Sequence, residues 1–306
     1  MAECLRVGLA GCGRWGRHIL RDLLSLGCEV HVAAVSEAGR RRAAEGGAAG
    51  VYGSVAELPE VAGYVVATPT ATHAGVVGEL LGRGRPVFCE KPLTHERESA
   101  ERLARAGAGR LFVMDKWRYH AGVVLLAEIA RGGELGPVVG LRATRAQWGN
   151  PHADVDATWI LAPHDLSIAL EVLGHIPAPR AATAERVGGV VTGLYGLLGA
   201  EPWMVLEVSA RHPEFRREVR LHCRDGVAVL DDGYSEHVRV TRWTGEAKLE
   251  DAPTELRPVP RELPLLSELR AFVGHLRGGP PPRSSAAEGA GVVAAIAELR
   301  RLAGLD

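Results

Sequence analysis

The sequence predicts an α/β protein in two parts: a doubly wound parallel sheet, then a second α/β domain on a largely antiparallel sheet. Three observations carry this. Short apolar runs alternate with helix-length amphipathic segments from Leu5 to about Phe112, the pattern of strand, helix, strand units around a parallel sheet. Gly11, Gly13 and Gly16 crowd the turn between the first strand and the first helix, where doubly wound sheets meet their ligands. Past His120 the texture changes to short runs separated by turn residues such as Pro213, Asp225-Gly226 and Asp232-Gly233, which suits antiparallel pairing.

Taken in order, Leu5 to Ala10 is the first strand, and a helix from Trp15 to Leu26 follows with Ile19, Leu20, Leu23 and Leu24 on its apolar face. Gly27 stands just past its end as a stop. Further strands are expected at Val30 to Val35, Tyr64 to Ala67, Pro86 to Cys89 and Leu111 to Met114, with helices at Ala74 to Leu81 and Arg97 to Ala106 between them. The second domain opens with a helix from Val123 to Arg131 and a strand from Pro137 to Gln147, then an irregular segment. Pro163 reads as the first residue of the next helix, because its fixed φ suits that position and its missing N–H costs nothing there. Strands are expected at Trp203 to Ala210, Glu218 to Cys223, Val227 to Leu230 and His237 to Trp243, and Val187 to Ala200 reads as strand and turn. Ser284 or Ser285 caps a final helix. The expected division is a domain over residues 1–119 and another over 120–306, with a last helix at 285–303 free to pack back on the first.

Composition narrows the classes of function. The chain has 306 residues, 46% hydrophobic and 24% charged, the proportions of a globular protein with room for two cores. Its 36 Lys and Arg against 37 Asp and Glu leave a net charge of -1, which offers no electrostatic case for nucleic acid. No apolar run is long enough for a membrane span. A first strand at Leu5 leaves no room for a secretory signal, so a cytoplasmic protein is expected. The five cysteines are scattered, form no CxxC pair and have no histidine at metal-ligand spacing; free thiols and no metal are expected, with Cys4 and Cys89 buried in apolar runs.

Gly11-Cys12-Gly13-Arg14-Trp15-Gly16 has the spacing and placement of the dinucleotide fingerprint. The first glycine permits the tight turn, the second lets backbone amides approach a pyrophosphate, and the third lets the helix pack closely. Glu37, at the expected distance beyond, suits the adenosine ribose hydroxyls and points to NAD; Ser36 and Arg40, with Arg41 and Arg42, suit the extra phosphate of NADP or a solvated helix face. Thr68-Pro69-Thr70-Ala71-Thr72-His73 and Glu90-Lys91-Pro92 each follow an apolar run, so both fall at strand ends on the ligand edge. A lysine there, partly desolvated beside a positive ring, moves toward use as a base.

These residues, with Lys116-Trp117-Arg118-Tyr119, Ala162-Pro163-His164-Asp165-Leu166-Ser167 and Ser284-Ser285-Ala286, resemble the Gfo/Idh/MocA oxidoreductases, named for glucose-fructose oxidoreductase and inositol dehydrogenase. The resemblance spans nearly the whole chain. It implies an NAD(P)-binding Rossmann domain and an α/β domain whose open, mostly antiparallel sheet serves a homo-oligomer. It further implies a sugar, polyol or nucleotide-sugar substrate, with Lys91 as catalytic acid/base and His164 assisting. Family members typically carry an aspartate four residues before this histidine, where this chain has Ile160; Asp154, Asp156 and Asp165 are the nearby candidates to replace it. Arg118, Trp148 and Asn150 are candidates to meet substrate hydroxyls. Two rival readings stay open: a catalytically silent dinucleotide-binding sensor, and a reductase of a conjugated or imine substrate resembling the biliverdin reductases.

Overall fold

The structure is a computed structural model that describes residues 4–150, 154–243 and 252–305. Two compact units emerge, one of Met1–Lys116 with Leu263–Val293, the other of Trp117–Glu262 with Ala294–Asp306.

In the first unit, β1 (Leu5–Ala10), β2 (Cys28–Ala33), β3 (Gly50–Tyr52), β4 (Gly63–Val66), β5 (Val87–Glu90) and β6 (Leu111–Met114) form a six-stranded sheet in the order β3-β2-β1-β4-β5-β6. All its pairings are parallel. Helices α1 (Gly16–Ser25), α2 (Glu37–Glu45), α3 (His73–Leu81) and α4 (Arg97–Ala106) link successive strands. Strand order reverses between β1 and β4, which opens a crevice at their carboxyl ends. The sheet interior is a continuous apolar layer, with Val7, Leu9, Val30, Val32, Val65 and Phe88 fully buried, as expected for strands covered on both faces.

The second strand runs from Cys28 to Ala33 rather than from Val30 to Val35, because parallel pairing sets Leu5 opposite Cys28 and Ala10 opposite Ala33. Cys4 is exposed, contrary to expectation; it precedes the first strand, and its Sγ donates to the Gly27 carbonyl at 3.3 Å. Cys89 is fully buried, and burial pushes its thiol well up from its ordinary range.

The second unit contains an eight-stranded sheet. Its strands are β7 (Val138–Trp148), β8 (Pro179–Val187), β9 (Val190–Leu198), β10 (Trp203–Ser209), β11 (Arg211–Cys223), β12 (Gly226–Leu230), β13 (His237–Arg242) and β14 (Thr254–Pro258). They run in the order β14-β13-β12-β11-β7-β10-β9-β8, and all pairings are antiparallel except β10 with β7. Helices α5 (Ala121–Gly132) and α6 (Ala157–Leu173) pack on each other and on this sheet.

α6 starts at Ala157, six residues before the expected Pro163, and carries that proline in its interior. Asp156 supplies the true start: its carboxylate accepts from the Thr158 N–H at 2.9 Å and from the Thr158 hydroxyl at 2.6 Å, a strong N-cap. An interior proline deprives the carbonyl four residues back of its donor, and burial of the whole first turn, Ala157 to Leu161, outweighs that cost. Residues 151–153 of the segment read as irregular lie outside the described residues.

Sequence reading missed α7 (Pro264–Leu276) altogether. The final helix, α8 (Ala286–Leu302), opens with a capping box: Ser285 Oγ accepts from the Glu288 N–H, and the Glu288 carboxylate accepts from the Ser285 N–H at 2.8 Å, satisfying two otherwise orphaned donors. Among the described residues, no helix is long and apolar enough to cross a membrane.

Candidate active site

The carboxyl ends of β1, β4, β5 and β6 bring four segments of the first unit to one edge of the sheet. The glycine turn comes first. Gly11 has φ +94°, where a side chain is strained, and a Cβ there would lie 2.5 Å from the Ala67 carbonyl oxygen. A Cβ on Gly16 would collide with the Gly11 carbonyl oxygen. Around Gly13, by contrast, a Cβ would meet nothing within 4 Å. The two outer glycines therefore serve the protein's own packing, while the middle one leaves backbone open for a pyrophosphate. This is the cradle the dinucleotide needs, and the residues fit it. Gly16→Ala is expected to weaken NADH binding by about tenfold or more, because the helix start must shift off the turn; fluorescence titration of the variant checks this.

Cys12 is buried in the turn, and its carbonyl accepts from Arg42 Nε at 2.9 Å. Burial pushes the Cys12 thiol up. Arg14 is exposed. The Trp15 indole N–H donates to Glu90 Oε1, joining the start of α1 to the end of β5, and Lys116 Nζ lies 4.4 Å from the Trp15 ring centroid. At the end of β2, Ser36 caps α2 by accepting from the Gly39 N–H at 3.1 Å, and Glu37 is the exposed first residue of that helix. Arg40 donates to the Ala34 and Val35 carbonyls at 3.2 and 2.6 Å.

The Thr68 to His73 turn is held from within. Thr72 Oγ1 donates to Thr68 Oγ1 at 2.8 Å and to the Pro69 carbonyl at 2.7 Å, and Thr70 is buried. His73 is 1% exposed, with Nδ1 2.9 Å from the Pro92 carbonyl oxygen and Nε2 3.0 Å from that of Thr68. Burial depresses its pKa, against the pull of the Pro92 and Thr68 carbonyls, and the ring ties the turn to the segment that carries Lys91. Glu90, the last residue of β5, is buried; its Oε2 accepts from the Lys91 N–H at 3.2 Å. Burial raises its pKa, against the pull of Lys91 and the Trp15 hydrogen bond. Lys91 itself is half-buried at the strand end.

In the second unit His164 is half-buried on α6, and Ile160, one turn earlier, is buried. The structure commits two of the nearby carboxylates elsewhere. Asp165 is fully buried in a bidentate pair with Arg145, at 2.8 and 2.9 Å. Asp156 caps α6 and accepts from Arg300 at 2.6 Å. Asp154 is exposed. Arg118 is buried with its Nε 3.1 Å from Glu171 Oε2. Asn150 donates to the Val155 carbonyl at 3.0 Å, and Trp148 is 67% exposed with the Arg211 guanidinium 4.9 Å from its ring.

Sequence reading passed over two features of the first unit. Asp115 is 1% exposed just past β6, and Glu268, 1% exposed on α7, lies within electrostatic reach of Asp115, of Glu90 and of Lys91 and Lys116. Glu268 had a signal: it breaks an apolar stripe at helical spacing, Leu265, Leu269, Phe272 and Val273.

Residues 5–110 match an oxidoreductase family, GFO_IDH_MocA, described by its NAD-binding Rossmann fold. Inositol 2-dehydrogenase 2 of Saccharopolyspora erythraea is 30% identical over 199 residues, covering 60% of this chain and 58% of that protein. The chain thus spans little more than half the length of that relative. An inositol 2-dehydrogenase of Burkholderia cenocepacia is 28% identical over 97% of this chain and 93% of its own. Among solved structures, a levoglucosan dehydrogenase in complex with NADH and levoglucosan superposes with a TM-score of 0.86 at 15% identity, covering 99% of this chain and 98% of that one; this likeness is one of fold.

Proposed function

Since residues 5–110 match the Gfo/Idh/MocA family of oxidoreductases, we propose that the protein is an NAD(P)-dependent dehydrogenase or reductase acting at a carbinol or carbonyl carbon of a sugar or polyol. One observation carries the reading: the open backbone at Gly13 and the half-buried Lys91 stand at the same edge of one parallel sheet. The nicotinamide supplies or accepts the hydride when bound. Lys91 takes the hydroxyl proton in oxidation and returns it in reduction. Its backbone is held by the Glu90 carboxylate, which the Trp15 indole anchors in turn, so the glycine turn and the base are fixed to one another. His164 is the assisting group.

NAD is the preferred cofactor of this reading. Arg40 and Arg42 donate to backbone carbonyls, which takes two of the three candidate phosphate-binding arginines away from NADP. The inositol dehydrogenases among the relatives support a polyol as the substrate class.

A second reading has an observation of its own. Ile160 is buried, while Asp165 and Asp156 are bound to Arg145 and Arg300, so neither of these two carboxylates stands in for the aspartate that the resemblance puts at position 160. That favours a substrate needing no such partner, as in an imine reductase, or a sensor. NADH and NADPH titration followed by turnover on inositols, aldoses, nucleotide sugars and cyclic imines tests all three. Polyol oxidation is the expected result; tight NADH binding with no turnover on any substrate would leave the sensor.

A further inference from the structure

α7 carries a core-facing stripe, Leu265, Glu268, Leu269, Phe272 and Val273, in which Glu268 is the single polar member. Phe272 stacks on Phe88 of β5, ring centroids 4.9 Å apart and planes 26° from parallel. From Phe272 back to Glu268 is one helical turn, about 6 Å along the axis. From Phe88 on to Glu90 is two strand residues, about 6.6 Å along β5 and on the same sheet face. Leu276, the last residue of α7, lies against Gly63, the first residue of β4, so the helix runs opposite to the strands and the two steps bring Glu268 level with Glu90, under the turn that carries Lys91.

Glu268 is buried, and neither carboxyl oxygen has a hydrogen-bond partner among the described residues. The groups facing it are Glu90 and Lys91 from the end of β5 and Asp115 and Lys116 from just past β6. Helix α1, also packed on α7, contributes His18, which feels Lys116. Glu90 accepts two hydrogen bonds, from Trp15 and from the Lys91 N–H, and these favour its charged form. Glu268 accepts none. Where two buried carboxyls lie close, the proton stays on the one without donors. Burial and the neighbouring Glu90 accordingly hold the Glu268 carboxyl well above its ordinary range.

We propose that Glu268 is a charge-compensating residue of the Lys91 site, which releases its proton when the oxidised, positively charged dinucleotide binds and keeps it when the reduced, neutral one binds. The inference rests on the reading that places Lys91 beside the nicotinamide. A positive ring added to the two lysines lowers the cost of ionising Glu268, and the released proton goes to solvent. Glu268 is a positioning residue here, since it acts on the charge around Lys91.

The test is calorimetric titration of the intact protein with NAD+ and with NADH in buffers of different ionisation enthalpy, which counts protons released. Wild type is expected to release about one proton with NAD+ and none with NADH, so that NAD+ affinity rises by about tenfold per pH unit in the window where Glu268 titrates while NADH affinity stays level. Glu268→Gln is expected to abolish the release, and Glu268→Asp to retain it. Equal release by wild type and Glu268→Gln would overturn the inference, as would wild type releasing none with either dinucleotide. Should Glu268→Gln fail to fold, Glu268→Ala carries the same expectation, loss of the proton release with NAD+. Failure of both dinucleotides to bind would sink the proposed function itself, a separate result.

Discussion

Lys91→Met is expected to lower turnover on an accepted polyol by roughly 10²- to 10⁴-fold, the usual contribution of a positioned acid/base, while leaving NADH affinity within about threefold of wild type. The methionine keeps most of the length and apolar stem of lysine and removes only the group that moves the proton. The segment's anchors do not depend on the amine. Glu90 holds the Lys91 N–H, and His73 reaches the Pro92 carbonyl. Steady-state rates set beside fluorescence titration give the two quantities separately. Full activity in the variant would show that the proton travels by another group; lost NADH binding would show that Lys91 serves the cofactor instead.

The second large effect concerns stability. Asp165→Ala is expected to cost about 3–5 kcal/mol, because it leaves the Arg145 guanidinium buried and without its counter-charge. Both side chains are almost wholly enclosed, and the pair is bidentate. Arg145 also lies 4.4 Å from the centroid of the Trp117 ring, so its charge sits on an aromatic face. For a unit of this size the loss corresponds to a fall of roughly 10 °C in melting temperature, read by calorimetry or circular dichroism. A drop of only a degree or two would mean that water reaches Arg145. Asp165 thus changes role between sequence and structure: beside His164 it reads as a candidate partner for the imidazole, and in the fold it is the ionic tie between α6 and β7.

The difference between those two readings is general for this chain. Residues whose role follows from backbone geometry were legible. Gly11 and Gly16 announce a tight turn because a Cβ at either would collide with a carbonyl, and at Gly11 a side chain would also be strained by φ +94°; the place of Lys91 at a strand end is legible because the apolar run Val87 to Cys89 just before it reads as a buried strand. Residues whose role follows from what packs across from them were not. Asp115 sits on an unremarkable strand end and Glu268 on a helix about 150 residues further along, and nothing local signals that Glu268 feels the charges of Asp115 and Glu90. Pro163 misled for a related reason: the local rule places proline at a helix start, and only the burial of residues 157–161 shows that packing has carried the helix through it.

What the sequence by itself determined is the parallel order of the first sheet, the dinucleotide turn and the lysine at the end of β5, because these depend on local periodicity and on residues with unusual backbone freedom. What only the tertiary structure decided is which charges are spent on the protein's own architecture, as in Asp165 with Arg145, and which are left near Lys91, as in Glu268. A side chain's charge state depends on its distance from other charges and from water, and folding sets both by joining elements that lie far apart along the chain.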